Sequence, residues 1–449
     1  MLKLFKLPDK LFKYLTVAVL LVIPLYPKFP FLRIPGIQVS VRLEDFLMAV
    51  VAFCVAIAFI PKLKKLFQRS IERAQLLYIL VGLAALLSAV FITKTAVGYI
   101  GILHLVRRIE YFIPFLLALL ALKSKDENLA YFIKILLLVT LIAFVYGFGQ
   151  KYFNWPVIVT QNVEYAKGIA LRWAPGSHIN STFAGHYDLA TFLVLVLPIF
   201  ISYFYCLANR MSKVVVGLTI LAGLWLLMAS VSRISIFSYL VGSSAALVIL
   251  KKYKEIFVVA IISLVIFGFS ADVRARYFRV IEVLQDKVAD SSLSVYAYAQ
   301  EPNPTKSLPK ISTPTPTPVL EDRSSSIRFN VEWPRAIRAL AKNPLLGTGF
   351  SSITLATDND YLRALGETGL LGFFALMLIL ARIGRLFLKN ISLIGYQGVQ
   401  KPFLAGVMGG TGGVLVNAVF IDVFEASKFA IVFWLIIGLA VACLRTRDE

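Results

Sequence analysis

Charge is scarce in this chain, and acidic charge scarcest. Only 16% of its 449 residues are charged, with 25 Asp and Glu against 46 Lys and Arg. Soluble domains carry about 25% charged residues, so this composition excludes an ordinary water-soluble protein. Cysteine and histidine are equally sparse. Cys54, Cys206 and Cys443 lie in or at the edge of apolar stretches and build neither a disulfide framework nor a metal-ligand spacing. His104, His178 and His186 are scattered too widely for a zinc motif. A glycine-rich, phosphate-cradling loop is also missing. That argues against ATP-driven transport by this chain alone, and no metal or cofactor is expected.

What is abundant is apolar sequence, at 59% of residues. Windows long enough to cross a hydrocarbon core of about 30 Å recur along the whole length. Twelve are read, near 12–26, 43–60, 75–92, 99–122, 129–149, 183–207, 214–231, 234–250, 256–270, 368–388, 403–421 and 428–444. In lipid every backbone N–H and C=O needs a partner within the protein, so runs of this length must be helices. The first window follows Lys3, Lys6, Lys10 and Lys13, as a signal peptide would. No small-residue cleavage site comes after it, and it is read as a retained span.

The net charge of +21 invites a nucleic-acid reading, but its placement argues against one. With the N-terminus inside, one set of connections holds Lys62, Lys64, Lys65, Arg69 and Arg73, then Lys123 and Lys125, Arg210 and Lys213, and Lys251, Lys252 and Lys254. Arg382, Arg385 and Lys389, then Arg445 and Arg447, continue it. The short turns on the other side are poor in Lys and Arg, and one, near Asp422 and Glu425, is acidic. That is the positive-inside pattern, with both termini cytoplasmic and the charge facing anionic lipid.

One long stretch, 271–366, faces water between two blocks of spans. Loops beyond about 60 residues escape the positive-inside rule, so its arginines sit outside without conflict. Residues 291–326 include the run Ser312-Thr313-Pro314-Thr315-Pro316-Thr317-Pro318, which favours an extended, solvated chain and reads as a disordered insertion. Beyond it, Ile327, Phe329, Trp333, Ile337 and Leu340 mark one helix face and Arg328, Glu332, Arg335, Arg338 and Lys342 another. Pro334 either kinks this helix or starts it. The amphipathic pattern suits a membrane surface, where the arginines would be solvated or hold phosphate.

Two shorter outer segments carry further polar groups. One, 151–182, contains Arg172, Trp173 and His178 and leads through Ser181-Thr182-Phe183-Ala184-Gly185-His186-Tyr187-Asp188 into a span. His186 and Asp188 there are either a capped helix end or the wall of a pocket. The other is the tight turn Ser230-Val231-Ser232-Arg233-Ile234-Ser235. Arg233 either snorkels to headgroups or is fixed for a phosphate, which a guanidinium grips with two parallel bonds. Arg107, Arg108 and Glu110 fall inside an apolar window, where charge must pair, line a cavity or lie at the interface; 98–108 could precede the span proper. The window 403–421 has Gly406, Gly409, Gly410, Gly412 and Gly413, a spacing for close helix packing.

The order of these motifs resembles a known family. Ala229-Ser230-Val231-Ser232-Arg233 opens a span, and Arg328-Phe329-Asn330-Val331-Glu332-Trp333 follows in the long loop. Then come Asn343-Pro344-Leu345-Leu346-Gly347-Thr348-Gly349-Phe350 and Asp358-Asn359-Asp360-Tyr361, running to Gly366-Glu367-Thr368-Gly369-Leu370-Leu371-Gly372. Over 182–372 this resembles the O-antigen ligase and Wzy polymerase superfamily of bacterial polytopic glycosyltransferases. The resemblance implies an all-α, GT-C-like membrane fold of about 12 transmembrane helices with one long extracytoplasmic loop. It implies transfer of a glycan from an undecaprenyl-pyrophosphate carrier to a glycan or lipid acceptor hydroxyl at the outer face of the cytoplasmic membrane. Arg233 and Arg328 would engage the pyrophosphate. Asp358 stands where the ligases carry a histidine that activates the acceptor, and a carboxylate can accept that proton. Asp358 could equally be an N-cap, since Asp-Asn-Asp before an apolar helix is a capping signature. Arg172, His186, Arg335, Arg338 and Tyr361 are the further candidates for the pocket.

The domain reading follows: 1–182, five helices and an outer loop; 183–270, four helices; 271–367, the long loop; 368–449, three helices. The rival class is a lipid-linked oligosaccharide flippase or other secondary transporter, whose polar groups would cluster near the bilayer midplane on repeated, broken helices. This chain has few midplane charges and no evident repeat.

Overall fold

The computed structural model describes residues 7–27, 30–33, 40–122, 126–157, 172–174, 177–268, 326–353, 356–393 and 395–445. The Thr-Pro insertion, the rest of 269–325, and Lys123, Lys125 and Arg447 lie outside the described residues.

Each apolar window holds an α-helix. In order these are α1 Asp9–Leu25, α2 Leu43–Phe59, α4 Ser70–Leu87, α5 Gly98–Ala121, α6 Asp126–Tyr152, α7 His186–Cys206, α8 Arg210–Ala229, α9 Arg233–Ile249, α10 Tyr253–Gly268, α12 Asp360–Lys389, α13 Gln400–Asn417 and α14 Ser427–Arg445. The short α3, Leu63–Gln68, and α11, Trp333–Lys342, complete the helices described. Among the described residues, seven stretches are long and apolar enough to cross a membrane: Glu44–Gln68, Ser70–Ile92, Asn128–Tyr152, His186–Cys206, Arg210–Ala229, Asp360–Lys389 and Ser427–Arg445. The all-helical expectation has one departure among the described residues, an antiparallel pair of β1 Pro30–Arg33 and β2 Ser40–Arg42. α5 is continuous from Gly98, so no break sets 98–108 apart. Its charges are paired, Arg107 with Asp45 at 2.7 Å and Glu110 at 2.9 Å, and Arg108 with Glu425.

α7, α9 and α13 pack together as the centre, and α14 packs against α5. α7 is buried from Leu189 to Ser202 and α14 from Ser427 to Leu444, which is how a helix apolar all round must be used. Glycines set the spacing at the centre. A Cβ on Gly409 would lie 2.3 Å from the Gly242 carbonyl oxygen, and one on Gly413 2.5 Å from that of Ser238. Gly412, on the same helix, meets nothing within 4 Å. Asn417, at the end of α13, donates to Thr191 on α7 at 2.8 Å and accepts from Ser235 on α9 at 3.1 Å. Lys428 is wholly buried, yet its ammonium donates to the carbonyls of Pro24, Tyr26 and Thr182 at 3.3, 2.6 and 2.8 Å. It thereby ties the start of α14 to the end of α1 and the entry to α7.

α12 is two helical pieces meeting at Gly369, whose φ of +65° and ψ of −169° break the helix. The turn 343–349 plugs this break. The amides of Thr348 and Gly349 donate to the carbonyls of Gly366 and Glu367 at 3.0 and 2.8 Å. The amides of Leu370 and Leu371 donate to those of Pro344 and Leu345 at 2.9 and 3.1 Å. Backbone groups freed by the break therefore find partners, as burial demands. The approach needs glycine on both sides. Gly347 also has positive φ, and a Cβ there would lie 2.5 Å from the Glu367 carbonyl carbon, one on Gly369 2.4 Å from that of Leu345.

Two sets of substitutions test this architecture. Gly409→Ala should destabilise the protein by about 1–3 kcal/mol through overpacking, while Gly412→Ala on the same helix should be near neutral; thermal unfolding in detergent reads both. Gly347→Ala and Gly369→Ala each combine strain with a backbone clash, and should lower the unfolding temperature more than Gly412→Ala does. Equal unfolding temperatures across these variants would contradict the packing described.

Candidate functional site

The segment 357–360 leads into the first piece of α12. Asn359 is the N-cap, its side chain accepting from the Leu362 amide at 2.9 Å. The capping role that the Asp-Asn-Asp signature offered to Asp358 therefore belongs to its neighbour. Asp358 itself has φ of +49°, a conformation uncommon for a residue with a side chain and one the surroundings must hold. Asp422 holds it, accepting from the amides on either side, Thr357 at 2.7 Å and Asn359 at 3.0 Å. Asp360 returns the arrangement, accepting from Val423 at 2.7 Å and Phe424 at 3.2 Å. Each loop thus supplies a carboxylate to the other's backbone.

Arginines neutralise this acidic clasp. Arg363 donates to Asp422 at 3.1 Å and to the Ile353 carbonyl at 3.1 Å. Arg108 donates to the Phe424 carbonyl at 3.1 Å and pairs with Glu425. Together with Asp360, Glu367, Tyr78 and Trp434 they line a pocket behind the loop. Its charged side chains bond to one another and to backbone, so this pocket is the buttress of the Asp358 loop.

Arg328 faces Asp358 and is itself buried, 9% exposed. It begins a turn of π-helix, Arg328–Glu332, whose wide bond runs from the Trp333 amide to the Arg328 carbonyl. Such turns recur at functional sites. α11 then starts at Trp333 with Pro334 in its first turn, so the proline begins the helix instead of kinking it. Its buried face is Ala336 and Ala339, packed on α12, while Ile327, Phe329 and Ile337 are exposed. Arg328 Nε donates to Asp358 Oδ2 at 2.9 Å, and Nη2 lies 2.8 Å from the same oxygen and 3.3 Å from the Tyr187 hydroxyl. The two residues expected to serve donor and acceptor are thus in direct contact.

Arg233 is the first residue of α9, after a turn in which Val231 has φ of +54°. A chain of hydrogen bonds joins its helix end to the Arg328 pair. Ser235 donates to Asn417, Asn417 to Thr191, and Thr191 to the carbonyl of Tyr187 at 2.8 Å, the residue whose hydroxyl meets Arg328. His186 opens α7 and stacks on His178 and Tyr187 with ring centroids 4.1 and 4.0 Å apart. Tyr361 donates to the Leu415 carbonyl at 2.8 Å, joining α12 to α13. Arg335 is half-buried near Glu332, Arg338 is exposed, and Arg172 is exposed on the other outer segment, donating to the Asn154 carbonyl.

Electrostatics single out two carboxyls outside the spans. Burial raises Asp358 above its ordinary range, against the lowering pull of Arg328 and with a further push from Asp422. Burial first, and then Asp358, push Glu332 up to about 7, against the pull of Arg328. Glu332, Tyr187, Asp422, Arg363 and Arg108 were not singled out for the site from sequence. Arg108 carried a signal, an intramembrane charge that needed an acidic partner. Asp422 and Glu425, the acidic outer turn, were the other half of it.

Among known proteins, the family model described as O-Antigen ligase matches residues 217–377, inside which Arg233, Arg328, Asp358 and the plugged break at Gly369 all fall. No curated protein matches the chain. The motifs that resembled this superfamily in sequence are the ones the fold gathers at one end of its helices, and residues 217–377 of this multi-pass membrane protein belong to the O-antigen ligase and Wzy superfamily.

Proposed function

We propose that the protein transfers a glycan from an undecaprenyl-pyrophosphate carrier to an acceptor hydroxyl at the outer face of the bacterial cytoplasmic membrane, as a polysaccharide polymerase or O-antigen ligase. The observation that carries this reading is the Arg328–Asp358 contact, linked through Tyr187, Thr191, Asn417 and Ser235 to the start of the helix that Arg233 opens. Family membership supports glycosyltransferase-type chemistry. The proposal includes twelve spans, cytoplasmic termini and the long loop 271–367 outside, with 1–182, 183–270 and 368–449 as the helical parts. Its partners are the lipid-linked glycan, a glycan or lipid acceptor and membrane lipid, with no cofactor and no nucleic acid.

The chemistry follows from the pair. A pyrophosphate entering between Arg233 and Arg328 competes with Asp358 for the guanidinium, which binds phosphate with two parallel bonds. Asp358, released beside an anion and partly shut from water, becomes a stronger base. It takes the acceptor hydroxyl's proton as that oxygen bonds to the anomeric carbon. The bond from the anomeric carbon to the phosphate oxygen breaks, and its electron pair leaves with undecaprenyl pyrophosphate, neutralised by the arginines. The proton then passes from Asp358 to the departing pyrophosphate or to water. Polar groups gathered at one helix end fit chemistry on a headgroup better than passage across the midplane.

Asp358→Asn should lower transfer by roughly 100-fold or more, the usual contribution of a general base, with expression and unfolding temperature near wild type because Asn359 holds the cap. Arg328→Lys should be almost as damaging as Arg328→Ala, since lysine keeps the charge and loses the two-pronged grip. Arg233→Lys should behave the same way. Polymer length and acceptor modification on a gel, with protein level checked in parallel, read all of these. A fully active Asp358→Asn protein would remove the carboxylate from the mechanism.

A further inference from the structure

Beside the Arg328–Asp358 pair, polar atoms shut away from solvent lack hydrogen-bond partners at three of four consecutive residues. They are Glu332 Oε2, Trp333 Nε1 and Arg335 Nη1. Native proteins leave few such atoms, and each asks for an explanation. A structural ion-pair network would satisfy them internally, as the Arg108–Glu425 and Arg363–Asp422 buttress largely does. Here one acceptor and two donors are left over, on the turn that carries Arg328 and the first turn of α11. The wide π-turn brings this about, since Glu332 and Trp333 follow Arg328 by four and five residues and flank it on one turn. Glu332 lies within electrostatic reach of Asp358, Arg328, Asp422 and Arg335.

Aromatic faces complete the setting. Trp333 meets Phe329 with centroids 4.7 Å apart and Phe420, just beyond α13, at 6.0 Å. A carboxylate oxygen, a guanidinium N–H and an indole N–H beside aromatic rings match a pyranose, which offers hydroxyls at its edge and C–H groups on its face.

We propose that Glu332, Trp333 and Arg335 form the acceptor subsite, binding the terminal sugar of the acceptor so that its attacking hydroxyl faces Asp358. The inference rests on the transferase reading and deepens it. Glu332 accepts from a hydroxyl next to the attacking one, and Trp333 and Arg335 donate to neighbouring sugar oxygens. None of the three takes the transferred proton, so these are positioning residues, and their loss weakens acceptor binding more than the chemical step.

The test is steady-state transfer by the full chain in membrane vesicles loaded with the cell's own lipid-linked glycan. Two acceptor probes are used: the free repeat unit released from that glycan by mild acid, and the sugar core of the cell's outer glycolipid. Glu332→Gln, Trp333→Phe and Arg335→Ala should each raise the acceptor KM by roughly tenfold, the effect of one lost hydrogen bond to a polar ligand. The donor KM, and the slow release of undecaprenyl pyrophosphate with water as acceptor, should stay within about twofold of wild type. An unchanged acceptor KM in all three variants overturns the subsite. So does a fall in kcat with no change in KM, or a wild-type protein that uses neither sugar probe yet still releases the donor's pyrophosphate. If the wild type neither transfers nor releases the donor, the transferase reading falls first and takes the subsite with it.

Discussion

The break in α12 at Gly369 and the turn that fills it hold the rest of the site in register. A helix interrupted inside a protein exposes carbonyls and amides that water cannot reach. The turn 343–349 satisfies them with four backbone hydrogen bonds, made possible by glycines at 347 and 369 that let two backbones touch. The first piece of α12 is thereby fixed against the segment that follows α11. Arg328, at the other end of α11 from that turn, meets Asp358 at the entry of α12. The turn 343–349 and the break at Gly369 are therefore one device in space, and this accounts for why the two motifs occur together.

A second layer of constraint is ionic. The loops 357–360 and 422–425 exchange carboxylates, Asp422 binding the amides around Asp358 and Asp360 binding those of Val423 and Phe424. Carboxylates that accept from backbone amides leave neither their own oxygens nor those amides stranded. Arg363 and Arg108 balance them from behind. Removing one member of such a buried pair costs far more than the pair contributes, because the survivor is left uncompensated. The cluster therefore serves rigidity: it holds Asp358 at a positive φ, a conformation uncommon for residues with a side chain.

In the proposed reaction this rigidity has a use. Arg328 is occupied by Asp358 until an anion competes for it, so the base is masked while the site is empty and unmasked as the donor arrives. The resting ion pair is thus compatible with both assigned roles, which act in succession. The unsatisfied atoms at Glu332, Trp333 and Arg335 lie on the turn that carries Arg328 and the first turn of α11, where the proposed acceptor sugar would approach.

Sequence alone determined the elements. Each apolar window became a helix because lipid allows a backbone no other economy, and Arg233 was legible as the residue that opens a helix after a short turn. The glycines of α13 were legible as packing residues, and Gly409 and Gly413 bear this out while Gly412 does not. The cap at Asn359 was misread by one residue, since Asp358, Asn359 and Asp360 all have capping side chains and only backbone geometry distinguishes them. The partners were not legible. Arg328 meets Asp358 across 30 residues, Asp360 meets Phe424 across 64, and Arg108 meets Glu425 across 317. Local propensity and hydrophobic period carry no information about such pairs. They exist because helix packing brings distant segments to one end of the bundle, and a buried charge there is stable only where another chain segment answers it.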